Sequence, residues 1–126
     1  MTRVAFFGHD AADAAVRRRV QGFRDDGLSV VGFMMRRRDE VQTDWENVDL
    51  GKTFDGNYGQ RLQSIFDGAR LAARDKAKLA SADVIYARNL DMLATAFLAK
   101  RYTELKTPVI YESLDVHRLL TRKDAV

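Results

Sequence analysis

The sequence of 126 residues contains no cysteine and one proline. Without cysteine neither a disulfide framework nor a thiolate metal site can form, so we expect a protein of the reducing cytoplasm. No apolar run approaches the roughly 20 residues that cross a bilayer as a helix. The chain enters an apolar strand at Arg3 without the longer apolar stretch of a signal peptide. The length predicts a single domain over residues 1–126.

Basic residues are gathered in two triplets, Arg17 to Arg19 and Arg36 to Arg38, and the net charge is +3. Such clusters favour partners that carry phosphate, including a peripheral contact with the inner face of the cytoplasmic membrane. For any single arginine, a solvated surface is the simpler interpretation. Aromatic residues are not interleaved with the triplets as stacking platforms, so nucleic acid is not an expected partner.

Short apolar segments alternate with segments of helical periodicity. The predicted strands are Arg3–Phe7, Ser29–Met35, Asn47–Leu50, Asp83–Ala87 and Val109–Tyr111; the predicted helices run from Asp13 to a C-cap at Gly27 and over Tyr58–Leu79 and Leu90–Tyr102. Because the strands are apolar throughout, helices should cover both faces of the sheet. The sequence therefore predicts a doubly wound, Rossmann-like three-layer α/β/α domain with a mainly parallel sheet.

Polar residues follow three of the predicted strands at their carboxyl ends, where open parallel sheets bind ligands. They are Gly8, His9 and Asp10 after the first strand, Arg88 and Asn89 after the fourth, and Glu112, Ser113, Asp115 and His117 after the fifth. Asp13, Asn89 and Asp115 have a simpler interpretation as helix N-caps, which we favour for Asp13. Capping calls for neither a histidine, an arginine nor a glutamate at the end of a strand. The stronger candidates for a ligand site are therefore His9, Arg88, Glu112 and His117.

The glycine turn after the first strand can bring backbone N–H groups close to a phosphate. The turn at Gly8 lacks the second and third glycines of G-x-G-x-x-G, which disfavours NAD and FAD, and the sequence contains no P-loop. A metal site built from His9, Asp10, Asp115 and His117 is disfavoured because the ligands are few and widely separated. We therefore expect neither a cofactor nor a resident metal.

Three segments resemble the N-terminal domains of family-four glycosyltransferases, and most closely those of bacterial exopolysaccharide (succinoglycan-type) assembly. They are the Gly8–His9 turn, the segment 83–89 that ends in Ala87-Arg88-Asn89, and above all the segment 109–118. The resemblance implies a GT-B architecture in which the N-terminal domain holds mainly the acceptor and a C-terminal domain, absent here, holds the nucleotide sugar. This chain is then the acceptor-side half of the enzyme, without a cofactor of its own.

The resemblance also implies roles for particular residues. Gly8 and His9 fall on the donor-phosphate side, Asn57, Arg61, Arg88, Asn89 and Glu112 on the acceptor side, and Asp115 and His117 are the candidate catalytic residues. The implied reaction transfers a sugar from a nucleotide-sugar donor to a glycan or lipid-linked acceptor. Most of the charge that stabilises the leaving diphosphate would come from the missing domain, so the isolated chain is predicted to be inactive. The paired-glutamate spacing of Glu104 and Glu112 is interpreted as a coincidence.

Two other interpretations stay open. A receiver domain of bacterial signalling has this size and fold class, but it needs a lysine after the fifth strand, where this chain has Glu112. Asp49 is its candidate phosphorylatable aspartate. The other interpretation is a non-catalytic binding subunit that pairs with a separate donor-binding polypeptide.

Overall fold

The computed structural model describes residues 2–53 and 57–112, which form five strands and four helices. The strands are β1 (Arg3–Gly8), β2 (Ser29–Arg36), β3 (Glu46–Lys52), β4 (Val84–Ala87) and β5 (Val109–Tyr111). The helices are α1 (Ala14–Asp25), α2 (Tyr58–Arg74), α3 (Lys76–Ala80) and α4 (Leu90–Thr103). All five predicted strands are present, and β3 is longer than predicted at both ends.

The described strands are all parallel and lie in the order β3-β2-β1-β4-β5. Helix α1 lies on one face of the sheet, and α2 and α4 lie on the other. The winding reverses between β1 and β4, and ligands of such sheets bind where the strand order reverses. The predicted doubly wound α/β fold is therefore confirmed.

The face covered by α2 and α4 contains the larger core. Phe7 of β1 and Phe33 of β2 stack with their ring centroids 5.1 Å apart, and both are fully buried. Met92 and Ala96 of α4 pack against the same cluster. Small residues bring α2 close to its neighbours, since a Cβ at Gly68 would lie 2.8 Å from Met35 Cε.

The face covered by α1 has an aromatic core. Phe6 and Tyr86 meet edge to face at 4.9 Å, and Phe23 of α1 packs on Tyr86 at 5.1 Å. Val16 and Val20 complete the buried row of α1, as their helical spacing predicts.

Helix α1 has well-defined signals at both ends. The Asp13 carboxylate accepts hydrogen bonds from the backbone N–H groups of the first turn, which confirms the predicted N-cap. Asp26, not Gly27, is the C-cap. Gly27 follows it with φ of +85°, and the Leu28 amide donates to Phe23 O, so the helix ends in a Schellman motif.

The prediction of a single helix over residues 58–79 is wrong. Helix α2 ends at Arg74, and Asp75, with φ of −98° and ψ of 46°, separates it from the short α3. The Asp75 amide donates to Ala72 O, three residues back, which tightens the last turn. The chain can then turn towards β4 while Leu79 stays fully buried in the core.

Arg3 ties together the amino-terminal edge of the sheet. Its guanidinium donates to Glu46 Oε2 at 2.6 Å, to Ser29 Oγ at 2.9 Å and to Ser81 Oγ at 3.0 Å. The hydrogen bond from Arg3 is the main cause that lowers the pKa of Glu46 below its usual value. These contacts join three strands at the edge opposite the candidate site.

Candidate functional site

The carboxyl ends of all five strands lie along one edge, and α2 and α4 both begin there. Each helix has an asparagine N-cap: Asn57 accepts from the Gln60 amide at 3.0 Å, and Asn89 accepts from the Met92 amide at 2.9 Å. Two candidate acceptor-binding residues thus have a structural role. Other N–H groups of these first turns give the edge a partial positive charge.

A cavity of about 500 Å³ opens at this edge, on the side covered by α2 and α4. It is lined by His9, Met35, Arg37, Thr53, Arg61, Ser64, Ile65, Asn89, Asp91 and Met92. Polar groups on its wall therefore face the same space as the apolar Met35, Ile65 and Met92. Such a mixture can bind a ligand that has both hydroxyl groups and C–H surface.

Arg61 and Asp91 join the N-terminal ends of the two helices across the cavity. Arg61 Nε and a terminal nitrogen donate to the two carboxylate oxygens of Asp91 at 3.1 and 2.9 Å. The hydrogen bond to Asp91 is the main cause that raises the pKa of Arg61. Sequence reasoning missed Asp91, because an acidic residue in the first turn of a helix has an ordinary role there.

His9 directly follows β1 and contributes to the cavity wall. Its Nε2 is 3.8 Å from Asp13 Oδ2, and its Nδ1 is buried without a hydrogen-bond partner within residues 2–53 and 57–112. Partial burial raises the pKa of Asp13. Hydrogen bonds from the Val16 and Ala15 amides and the charges of His9 and Arg88 lower it by more, so the pKa lies below its usual value. His9 is therefore held beside the carboxylate that caps α1.

Gly8 has a packing role that its sequence position did not indicate. A Cβ at Gly8 would lie 3.1 Å from Met34 Cγ and 3.3 Å from Val16 Cγ1, on the side of α1. The absence of a side chain thus lets β1 end close to α1. Whether the same turn approaches a phosphate stays a prediction.

Arg88 and Glu112 do not line the cavity. The Glu112 carboxylate accepts from Arg19 of α1 at 3.2 Å, and the charge of Arg88 acts on Asp13, which caps that helix. Of the five predicted acceptor-side residues, Arg61 and Asn89 line the cavity, whereas Asn57, Arg88 and Glu112 do not.

The candidate catalytic residues Asp115 and His117 lie outside the described residues. Glu104 is the C-cap of α4, with φ of 60°, and thus lies at the end of the helix away from the cavity. Its separation from the carboxyl edge agrees with the interpretation of the Glu104–Glu112 spacing as a coincidence. The part of the chain that the structure describes contains no group of three residues able to hold a metal ion.

Asp49 lies within β3 and does not follow it. Arg36 Nε donates to its Oδ2 at 3.1 Å, and the Gly51 amide donates to its Oδ1 at 2.9 Å. A phosphorylatable aspartate of a receiver should instead project from the carboxyl end of a strand, as ligand-binding groups of such sheets do. The geometry therefore disfavours the receiver interpretation.

The fold and the cavity define a doubly wound α/β domain with a ligand-sized cavity at the switch point of its sheet. Its fold is similar to a solved structure, the C-terminal domain of a hydrogenase from Pyrococcus furiosus, with a TM-score of 0.53 over 89% of this chain and 91% of that one. Their identity is 9%, so the likeness concerns the fold alone.

The chain is also 36% identical, over 129 aligned positions, to the succinoglycan biosynthesis protein ExoL of Rhizobium meliloti strain 1021. The match includes 100% of this chain but 32% of that relative, so the chain spans about a third of the relative's length. No protein-family model matches the sequence. Within the described residues, no helix is both long and apolar enough to cross a bilayer.

Proposed function

We propose that this chain is the acceptor-side domain of a glycosyltransferase that acts in exopolysaccharide synthesis. The enzyme would transfer a sugar from a nucleotide-sugar donor to a glycan or lipid-linked acceptor. The observation that carries the proposal is the cavity at the carboxyl edge, because its lining suits a sugar. The 36% identity to a succinoglycan biosynthesis protein supports the class of polysaccharide.

A sugar ring presents hydroxyl groups at its rim and C–H groups on its faces. In the cavity, Arg61 and Asp91 offer donors and acceptors beside the Ser64 hydroxyl, while Met92 and Ile65 offer an apolar surface. Because Arg61 is paired with Asp91, this part of the cavity wall offers hydrogen-bond donors and acceptors side by side. Such a pair suits the hydroxyl groups of a sugar, and the proposal assigns the nucleotide mainly to a second, C-terminal domain in a GT-B arrangement.

Saccharide binding by the chain tests this proposal. We would titrate the ¹⁵N-labelled chain with oligosaccharides from partial hydrolysis of succinoglycan and follow amide shifts by NMR. We expect the amide shifts to concentrate at His9, Arg61 and Ser64. The dissociation constant should be on the order of 1 mM, because one wall of a cleft makes only part of the contacts with the ligand. Arg61→Gln should weaken binding about fivefold, the equivalent of one lost hydrogen bond.

Arg24→Gln is the matched control. Arg24 pairs with Asp44 at 3.2 Å, so it too is an exposed arginine–aspartate pair, but neither residue lines the cavity. Its substitution should leave saccharide binding unchanged. Shifts that cluster away from the cavity, or a chain that binds the free nucleotide and no saccharide, would contradict the acceptor-side role.

A further inference from the structure

Two helices carry apolar side chains on surfaces that face solvent. On α4, Leu90 and Phe97 are 65% and 53% exposed, and on α2, Leu62 and Phe66 are 54% and 40% exposed. Residues four or seven positions apart lie on the same side of a helix. Each pair therefore forms a short stripe on its own helix, and we call the two stripes together the outer apolar row.

Helix α4 is apolar on both sides. Its inner side packs against the core through Met92, Ala96 and Ala99. Between Leu90 and Ala99 its one charged residue is Asp91. A helix that is apolar all round is normally covered on both sides, and a clustered exposed apolar surface usually marks a contact.

The charge around the row has one predominant sign. Helices α2 and α4 together contain five basic and two acidic residues. The acidic residues are Asp67, paired with Arg70, and Asp91, paired with Arg61. The surplus positive charge therefore lies on Arg74, Lys100 and Arg101. Lys100 Nζ is 5.8 Å from the ring centroid of Phe97, so the charge of Lys100 adjoins the row.

We propose that the outer apolar row, together with Arg74, Lys100 and Arg101, is a docking surface for an anionic lipid bilayer. Leucine and phenylalanine side chains insert at the boundary between headgroups and acyl chains, while basic side chains meet the lipid phosphates. The surplus of positive charge on α2 and α4 matches an anionic surface. This inference goes beyond the proposed function and does not depend on it.

The arginine triplets, from which the sequence predicts membrane contact, are largely engaged within the chain. Arg17 donates to Ala11 O, Arg19 pairs with Glu112, and Arg36 pairs with Asp49. The proposed surface lies instead on the α2–α4 layer. Because both helices begin at the carboxyl edge, docking would bring the cavity close to the membrane.

Co-sedimentation with vesicles tests the proposal. The probes are vesicles of phosphatidylcholine with about 30% phosphatidylglycerol, and vesicles of phosphatidylcholine alone, at low salt. We expect binding to the anionic vesicles and weak or no binding to the neutral ones. Lys100→Gln with Arg101→Gln should weaken binding roughly 30-fold, at about fivefold for each basic residue. Phe97→Ser should weaken it about tenfold.

Arg18→Gln with Arg38→Gln is the matched control, because it removes two basic charges from exposed positions on other elements. It should leave most of the binding intact, and circular dichroism establishes that each variant is folded. The proposal is overturned if the chain does not bind anionic vesicles, or if the control loses as much affinity as the α4 variant. It is also overturned if sedimentation reveals a dimer that Phe97→Ser dissociates while vesicle binding is absent, because a second copy would then cover the row.

Discussion

Gly32 in β2 has no room for a side chain. A Cβ atom there would lie 2.2 Å from Asn47 Oδ1 and 2.7 Å from Trp45 Nε1. Trp45 is buried and donates to Asn47 at 3.3 Å, so the added methyl group would displace both partners of this hydrogen bond. We expect Gly32→Ala to lower the free energy of unfolding by about 1–3 kcal/mol, as overpacking does. Urea denaturation, followed by the fluorescence of the one tryptophan, measures the change.

Gly22→Ala is the control for this substitution. Gly22 is exposed within α1, and a Cβ there meets no atom within 4 Å. The same chemical change should therefore raise the free energy of unfolding by about 1 kcal/mol, because alanine favours a helix over glycine. If both variants lost stability equally, crowding at Gly32 would not be the cause.

The N-terminus of α4 combines a helix cap with a wall of the cavity. Asn89→Ala should lower the free energy of unfolding by about 1 kcal/mol, because the Met92 amide loses its acceptor. Asn89→Asp should retain most of the stability, since a carboxylate also accepts at an N-cap. Thermal unfolding of both variants measures the difference.

The pair of variants also separates capping from ligand binding. If the aspartate variant is folded and stable but binds saccharide less well, the carboxamide N–H₂ of Asn89 contacts the ligand as well. If it binds normally, Asn89 serves α4 alone. A loss of stability as large as that of the alanine variant would contradict the capping role.

The predictability of each element depends on whether its signal is local. Strands β1, β2, β4 and β5 are apolar and adjoin turn residues, so the sequence pattern predicted each of them. Helix α1 was predicted because Asp13 precedes it and Gly27 follows it. The break between α2 and α3 at Asp75 was not predicted, because the helical spacing of apolar residues continues through it to Leu79. The helix breaks there because the chain must turn towards β4. This is a tertiary requirement, and local periodicity does not encode it.

At the scale of the whole molecule, topology explains which positions of the candidate site residues could be predicted and which could not. Parallel strands place their carboxyl ends together, so His9, Arg88, Asn89 and Glu112 were correctly expected at one edge. An edge has two sides, however, and residue order does not say which side a loop side chain takes. Glu112 accepts from Arg19 on the side of α1 and Arg88 does not line the cavity, whereas Arg61 lines the cavity together with Asp91.

The proposed division of labour between two domains predicts an outcome for the whole protein. Under this proposal the chain alone would offer one wall of a cleft and would neither position a donor nor exclude water. Poor positioning alone can cost about 100-fold in rate. We expect no succinoglycan from a strain that lacks the relative ExoL and carries this chain alone. Replacing the aligned third of that relative with this chain should restore succinoglycan.

The exchange also separates an acceptor-side domain from a self-sufficient binding subunit. Arg61→Gln within the chimera should reduce polysaccharide yield, while Arg24→Gln should not, because only Arg61 lines the cavity. Immunoblotting for soluble chimera and saccharide binding by the purified chimera distinguish a folding failure from a functional one. Restoration of succinoglycan by the isolated chain would mean that it needs no covalently attached donor domain. The proposed half-enzyme would then be abandoned in favour of a subunit that recruits its donor-binding partner in trans.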